Sequence, residues 1–191
     1  DYFDEEGRSL RKAFLQAPLK FGRISSGYTN KRFHPVQKRW KAHLGTDYAA
    51  PKGTPIIAVG DGTITDARFG KYNGRYVKIK HNGTYTTQYL HMSGFAKGIR
   101  AGKYVKQGDV IGYVGSTGLA TGPHVCFRFW KNGRQVDHLK LNFPPAEPMP
   151  AEEIPAYMEI KDSLNDILKT IPYNGEMMVA EEDQKIIAGL N

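Results

Sequence analysis

The chain has 191 residues, 40% of them hydrophobic and 24% charged, with one cysteine and a net charge of +8. That length buries one substantial core with room for an appendage. The single cysteine excludes an internal disulfide framework, and the lack of any run of about 18 apolar residues excludes a membrane-spanning helix.

The charge is uneven. Residues 151–191 carry nine acidic and three basic side chains, so residues 1–150 hold 24 basic and ten acidic ones. A body this basic suits a polyanionic partner such as nucleic acid, anionic lipid or anionic cell-wall polymer; the plainer reading is solubility alone.

The first twenty residues, DYFDEEGRSLRKAFLQAPLK, contain a short amphipathic stretch stopped by Pro18 and read as a lead-in or the end of a preceding domain. Their opening has the character of an internal segment, which leaves open a leader or membrane anchor outside this chain. From Phe21 to about Phe143, short apolar runs separated by glycine turns predict an all-β domain. TPIIAVGDGTITDARF reads as two strands around Asp61-Gly62, and RYVKIKHNGTYTTQYLHM as a hairpin whose Asn82-Gly83 turn takes positive φ at both positions. VCFRFWKNGRQVD repeats the device at Asn132-Gly133. Within the first hairpin, Val77 and Ile79 face one way and Tyr76, Lys78 and Lys80 the other.

Pro144, Pro145, Pro148 and Pro150 form a stiff linker. Beyond it, Tyr157, Ile160, Leu164, Ile167, Leu168 and Ile171 recur at helical spacing, which predicts an amphipathic helix that packs on the domain or a partner, then a second short helix. The expected organisation is a lead-in over 1–20, a β domain over 21–146 and a proline-rich linker with an acidic helical tail over 147–191.

His43 and Asp47 in HLGTD lie four apart. On a fully extended strand they would point the same way but sit roughly 13 Å apart, too far to share an ion; a bend at Gly45 would bring them together. His124 and Cys126 in GPHVCFRFW project to the same strand face, so both can approach one point. Imidazole nitrogen, thiolate sulfur and carboxylate oxygen are all zinc donors, but a free cysteine is also an ordinary small core residue. His91 in QYLHMS stands near the exit of a strand, where a lone histidine has either a structural or a catalytic role. His34, His81 and His138 read as solvated or structural.

GYVGSTGLATGP lacks the Lys-Ser/Thr of a phosphate loop and reads as a flexible loop leading to His124. KRFHPVQKRWK is basic and aromatic but contains no nucleic-acid motif, so no nucleic acid is expected as a partner.

Taken together, HLGTDYAAPKGTPIIAVGDGTI, YLHMS and VKQGDVIGYVGSTGLATGPHV resemble the zinc peptidases of the LytM/lysostaphin type, over about Phe21 to Asn142. SLRKAFLQAPLKFGRISSGY is similar to the region preceding this domain in envelope-anchored Gram-negative members. The resemblance implies a mostly antiparallel, open β-sandwich-like domain with a groove, and one zinc ion held by His43, Asp47 and the position of Cys126. Cysteine in place of the family's third ligand, a histidine, is the departure. His91 and His124 match the two catalytic histidines.

The implied function is hydrolysis of peptide cross-links in bacterial peptidoglycan, at the periplasmic face of a Gram-negative-type envelope. Thiolate in place of imidazole lowers the summed charge of the centre from +1 to zero, which predicts a weakened hydrolase. The alternative is an inactive domain that binds peptidoglycan or activates a wall amidase, with the tail offering a surface to an envelope protein. A third reading makes Cys126 a nucleophile with His91 or His124 as its base; the shared strand face of His124 and Cys126 disfavours that pairing.

Overall fold

Period-two alternation and glycine turns fold the middle of the chain almost entirely into strands. The structure, a computed structural model, describes residues 12–34, 38–143 and 149–171, with Phe3, Asp4, Glu6 and Ser9. Among these residues the strands are β1 (Arg23–Ser26), β2 (Thr29–His34), β3 (Arg39–His43), β4 (Thr46–Ala49), β5 (Pro55–Ile57), β6 (Gly62–Gly70) and β7 (Gly74–Lys80). They continue as β8 (Tyr85–Met92), β9 (Gly94–Phe95), β10 (Tyr104–Val105), β11 (Val110–Tyr113), β12 (His124–Lys131) and β13 (Arg134–Val136). A 3-10 turn at His138–Lys140 and helix α1 (Ile154–Lys169) follow.

The main sheet runs β1-β4-β12-β8-β7-β6-β10, with β13 paired beside β12; β5-β11-β9 form a small sheet and β2-β3 a separate hairpin. Every strand pair among the described residues is antiparallel. The mostly antiparallel β fold expected from the sequence is therefore the observed one.

Alternation gives the main sheet two different faces. Tyr48, Val77, Ile79, Tyr89, Val125, Phe127 and Phe129 point to one side and form a core with Ile56 and Ile111 of the small sheet. Tyr76, Leu90 and Cys126 form a second buried cluster; each alternates with core residues of its own strand and so lies on the opposite face. Burying a phenylalanine such as Phe127 or Phe129, each 1% exposed, stabilises the fold by about 1.5–3 kcal/mol.

Chain contacts divide into one unit over 12–146 and another over 1–11 with 147–191. The expected lead-in is thus divided: Phe14 and Leu19 are buried in the core of the β unit. In the other unit, α1 starts with a proline in its first turn, a position where the missing N–H costs nothing. Tyr157 meets the ring of Phe3 at 6.2 Å between centroids. Ile160, Leu164, Ile167 and Leu168 are more than half exposed, and Ile171, just past the helix, is exposed as well. The second short helix and Pro144, Pro145 and Pro148 lie outside the described residues.

The two runs around Asp61-Gly62 are strands as expected, β5 and β6; β5 joins β11, while β6 joins β7. One expectation, one of the two hairpin turns, is corrected. Asn132 and Gly133 have φ of 50° and 75°, the tight hairpin turn expected there. Asn82 and Gly83 are absent from the positive-φ residues; instead the Asn82 side chain accepts hydrogen bonds from the Thr84 and Tyr85 amides. An Asx side chain can substitute for the backbone in closing a turn, which widens this one. The glycine-rich loop before His124 packs closely at two of its glycines. A Cβ on Gly118 would lie 2.3 Å from the Gly74 nitrogen, and one on Gly115 would lie 2.3 Å from the Ser93 nitrogen.

Candidate active site

Five side chains singled out in the sequence, His43, Asp47, His91, His124 and Cys126, line one open groove of about 620 Å³. They arrive there by different local devices. β3 ends at His43 and β4 begins at Thr46, so the break at Leu44-Gly45 folds the HLGTD segment back on itself. His43 Nε2 thereby comes within 3.0 Å of Asp47 Oδ1. Glycine is required at the bend because a Cβ on Gly45 would stand 2.9 Å from the Phe127 carbonyl oxygen and 3.2 Å from Cys126 Sγ. Asp47 and Cys126 are register partners on β4 and β12, and the Cys126 sulfur lies 3.5 Å from His43 Nε2.

His91 is placed by a bulge. Arg75 pairs with Met92 and Val77 with Tyr89, so Tyr76 alone opposes both Leu90 and His91. His91 is the extra residue, with φ of 64°. By strict alternation it would share the core face of Tyr89; the left-handed turn re-aims it to the groove, as bulges beside functional sites do. Its ring centroid lies 4.8 Å from that of His124.

All three histidines are oriented in the same way. Nδ1 donates to a backbone carbonyl in each: Gly27 for His43 at 3.0 Å, Thr117 for His91 at 2.7 Å and Gly122 for His124 at 2.8 Å. A carbonyl oxygen can only accept, so Nδ1 carries a proton in each ring and Nε2 faces the groove. Such outer partners fix the tautomer of metal-ligating histidines.

His43 Nε2 and Asp47 Oδ1 face each other at the groove, and Asp47 Oδ1 is buried with no hydrogen-bond partner, a position that suits a cation. The other carboxylate oxygen, Oδ2, accepts from Arg32 Nη1 at 3.3 Å; Arg32 also donates to the Ser26 hydroxyl. One nitrogen, one oxygen and one sulfur from His43, Asp47 and Cys126 all lie within 4.8 Å of one another. A tetrahedral zinc with bonds of about 2.0–2.3 Å separates its ligands by about 3.3–3.7 Å. The residues present therefore fit the ion.

Burial raises the Asp47 carboxyl, but the neighbouring His43 and His124 prevail and hold it down at about 2. Burial and the Asp47 charge push the Cys126 thiol up to about 12, against Arg128. A thiol held so firmly in its protonated form is a poor nucleophile, which removes support from the nucleophilic-cysteine reading. Burial holds His91 down at about 4, with the Thr117 carbonyl opposing; the ring is neutral at pH 7.

The remaining histidines with described side chains have structural roles. His81 Nδ1 donates to the Asp61 carbonyl at 2.7 Å, and its Nε2 lies 2.8 Å from the Thr87 hydroxyl. His138 Nε2 lies 2.8 Å from the Tyr48 hydroxyl and 3.1 Å from the Gln16 carbonyl. The side chain of His34 is outside the described set. Sequence reasoning missed Arg32 and Thr117. Arg32 sits in a basic hairpin indistinguishable from a solvated one, and Thr117 acts through its carbonyl, which leaves no trace in side-chain type.

Comparison with known proteins points the same way. Residues 41–138 match the model of Peptidase family M23. Similar curated proteins include the peptidoglycan DD-endopeptidase ShyC of Vibrio cholerae, 45% identical over 77% of this chain and 34% of that protein. ShyA of the same organism is 40% identical over 87% of this chain and 39% of its own length. The chain thus spans between a third and two-fifths of these two relatives.

Among solved structures, a zinc-containing peptidase from Vibrio cholerae aligns with a TM-score of 0.64 and 38% identity, over 75% of this chain and 46% of that one. The catalytic domain of the prophage-encoded M23 protein EnpA from Enterococcus faecalis, in a mutant form, aligns with 0.55 and 34%, over 66% and 97%. On the shared fold and the residues matched, this chain belongs to peptidase family M23.

Proposed function

We propose that this protein is a zinc-dependent endopeptidase that hydrolyses peptide cross-links of peptidoglycan, at the periplasmic face of the cell envelope. The observation that carries the reading is the convergence of three donor atoms on one point, beside two histidine Nε2 atoms, at the floor of an open groove. In this reading His43, Asp47 and Cys126 hold the ion. Zinc bound there would supply Lewis acidity, acidifying water and polarising a carbonyl.

The chain's own residues do the rest. Arg32 and the Gly27 carbonyl fix Asp47 and His43 from behind. His91, neutral and anchored on Thr117, offers Nε2 as an acceptor for the proton of the attacking water. His124, anchored on Gly122, lies across from it, placed to stabilise charge on the carbonyl oxygen or to protonate the leaving amine.

The named activity of the Vibrio relatives supports the substrate class. Protein purified without chelator should carry about one zinc per chain, lost in Cys126→Ala. Purified cross-linked sacculi should yield new amine ends that depend on zinc. His91→Ala should lower the rate about 100-fold or more while zinc content holds. Zinc-loaded protein that releases no new amine ends would leave the inactive, wall-binding alternative.

A further inference from the structure

The groove has a wall that the proposed chemistry does not use. Strand β3 alternates, so Arg39, Lys41 and His43 share one side. The pairing of Arg32 with Lys41 places Arg32 on that side, and the pairing of Phe33 with Trp40 falls on the other. Arg32, Arg39 and Lys41 line the groove with the proposed zinc ligands. Phe33 and Trp40, 53% and 64% exposed, meet edge to face at 6.0 Å on the far side. The hairpin is two-faced, and the face turned to the groove is the cationic one. Arg128, two residues beyond Cys126 on β12, adds a fourth cation to the lining.

Among the described residues Asp47 is the sole acidic one of that lining, and Arg32 already holds its Oδ2. Among the described residues no carboxylate is paired with Arg39 or Lys41. Arg32 and Lys41 stand directly opposite each other across the two strands; Asp47 answers the charge of Arg32, while Lys41 keeps a like-charge neighbour, an arrangement that a further anion would relieve.

We infer that the β2–β3 hairpin is a specificity wall: Arg39 and Lys41, with Arg128, bind a free carboxylate of an anionic stem peptide. The inference rests on the peptidase reading for the kind of ligand that enters the groove. A carboxylate is favoured because the planar guanidinium matches it with two parallel hydrogen bonds. Side chains two apart on a strand are rooted about 7 Å from each other, so Lys41 and Arg39 start about 7 and 13 Å from His43. An extended peptide advances about 3.3–3.6 Å per residue, which puts the recognised carboxylate about two to four residues from the bond cut.

The test measures equilibrium binding of two synthetic stem peptides without a cross-link to cut, one with free side-chain-borne carboxylates and one with those carboxylates amidated. The unchanged protein should bind the free form about tenfold more tightly, a preference that shrinks with added salt. The double variant Arg39→Gln/Lys41→Gln should bring the ratio below twofold. The swap Arg39→Lys/Lys41→Arg should keep a preference, and thermal midpoints confirm that both variants fold. Equal binding by the unchanged protein, or a preference that survives the double variant, overturns the wall. The sacculus digestion is read separately. Discrimination without cleavage retains the wall and overturns the peptidase reading; cleavage without discrimination does the reverse.

Discussion

Gly45 decides whether the histidine and carboxylate four residues apart can act together. Its missing side chain lets the backbone turn between β3 and β4 while lying against the Phe127 carbonyl and the Cys126 sulfur. Gly45→Ala forces a methyl group into that contact. It should cost about 1–3 kcal/mol in stability, the usual range for overpacking, and lower zinc content by displacing Cys126 from His43. Thermal unfolding and metal analysis measure the two effects independently; an alanine variant with full zinc and an unchanged midpoint would remove the role given to this bend. Cys126 carries the opposite lesson. It is 3% exposed and packs with Tyr76 and Leu90, yet its sulfur points at His43, so one residue serves the buried cluster and the groove together.

At the level of elements, the site depends on a clasp between the start of β7, the end of β8 and the loop that leads into β12. Thr117 donates its hydroxyl to the Met92 carbonyl, accepts from the Arg75 amide, and gives its own carbonyl to His91 Nδ1. Gly74 makes the clasp possible: it has φ of 63°, and a Cβ there would fall 2.3 Å from the Thr117 carbonyl oxygen. Gly74→Ala should therefore push Thr117 away and release His91. The expected outcome is a rate lowered about tenfold or more at unchanged zinc content, with earlier exchange of the His91 Nδ1 proton by NMR. Loss of zinc in step with activity would show that the clasp acts on the ion's ligands instead.

For the whole molecule, the buried histidines tie stability to pH. Burial holds His81 and His138 below the ordinary 6.5, against the pull of the Asp61 and Gln16 carbonyls, and holds His91 down at about 4. All three folded values lie below the unfolded one, so as pH falls through about 6.5 the unfolded chain takes up protons first. The stability these rings contribute is complete above about pH 6.5 and is lost as pH falls toward the folded values. The thermal midpoint should hold from about pH 8 to 7 and decline steadily below about 6.5; a midpoint that rises on acidification to about pH 5 would contradict this account.

The sequence by itself determined the all-β middle, since strand alternation and glycine spacing are local properties. It also presented the five candidate side chains: His43/Asp47 and His124/Cys126 are short-range pairs that a strand or a bend can bring together, and the resemblance to the LytM/lysostaphin type adds His91 and implies their roles. It misjudged the Asn82-Gly83 turn, where a side-chain cap outweighs local preference, and it did not show the close backbone contacts of the loop before His124; neither is legible in residue type. Only the tertiary structure decided that β4 lies against β12 and so joins Asp47 to Cys126, and that a bulge turns His91 out of the core. The same holds for the hairpin, whose basic residues line the groove while its aromatic pair is exposed on the other side. Register between distant strands is fixed by how whole faces bury, a cooperative outcome that no single segment encodes.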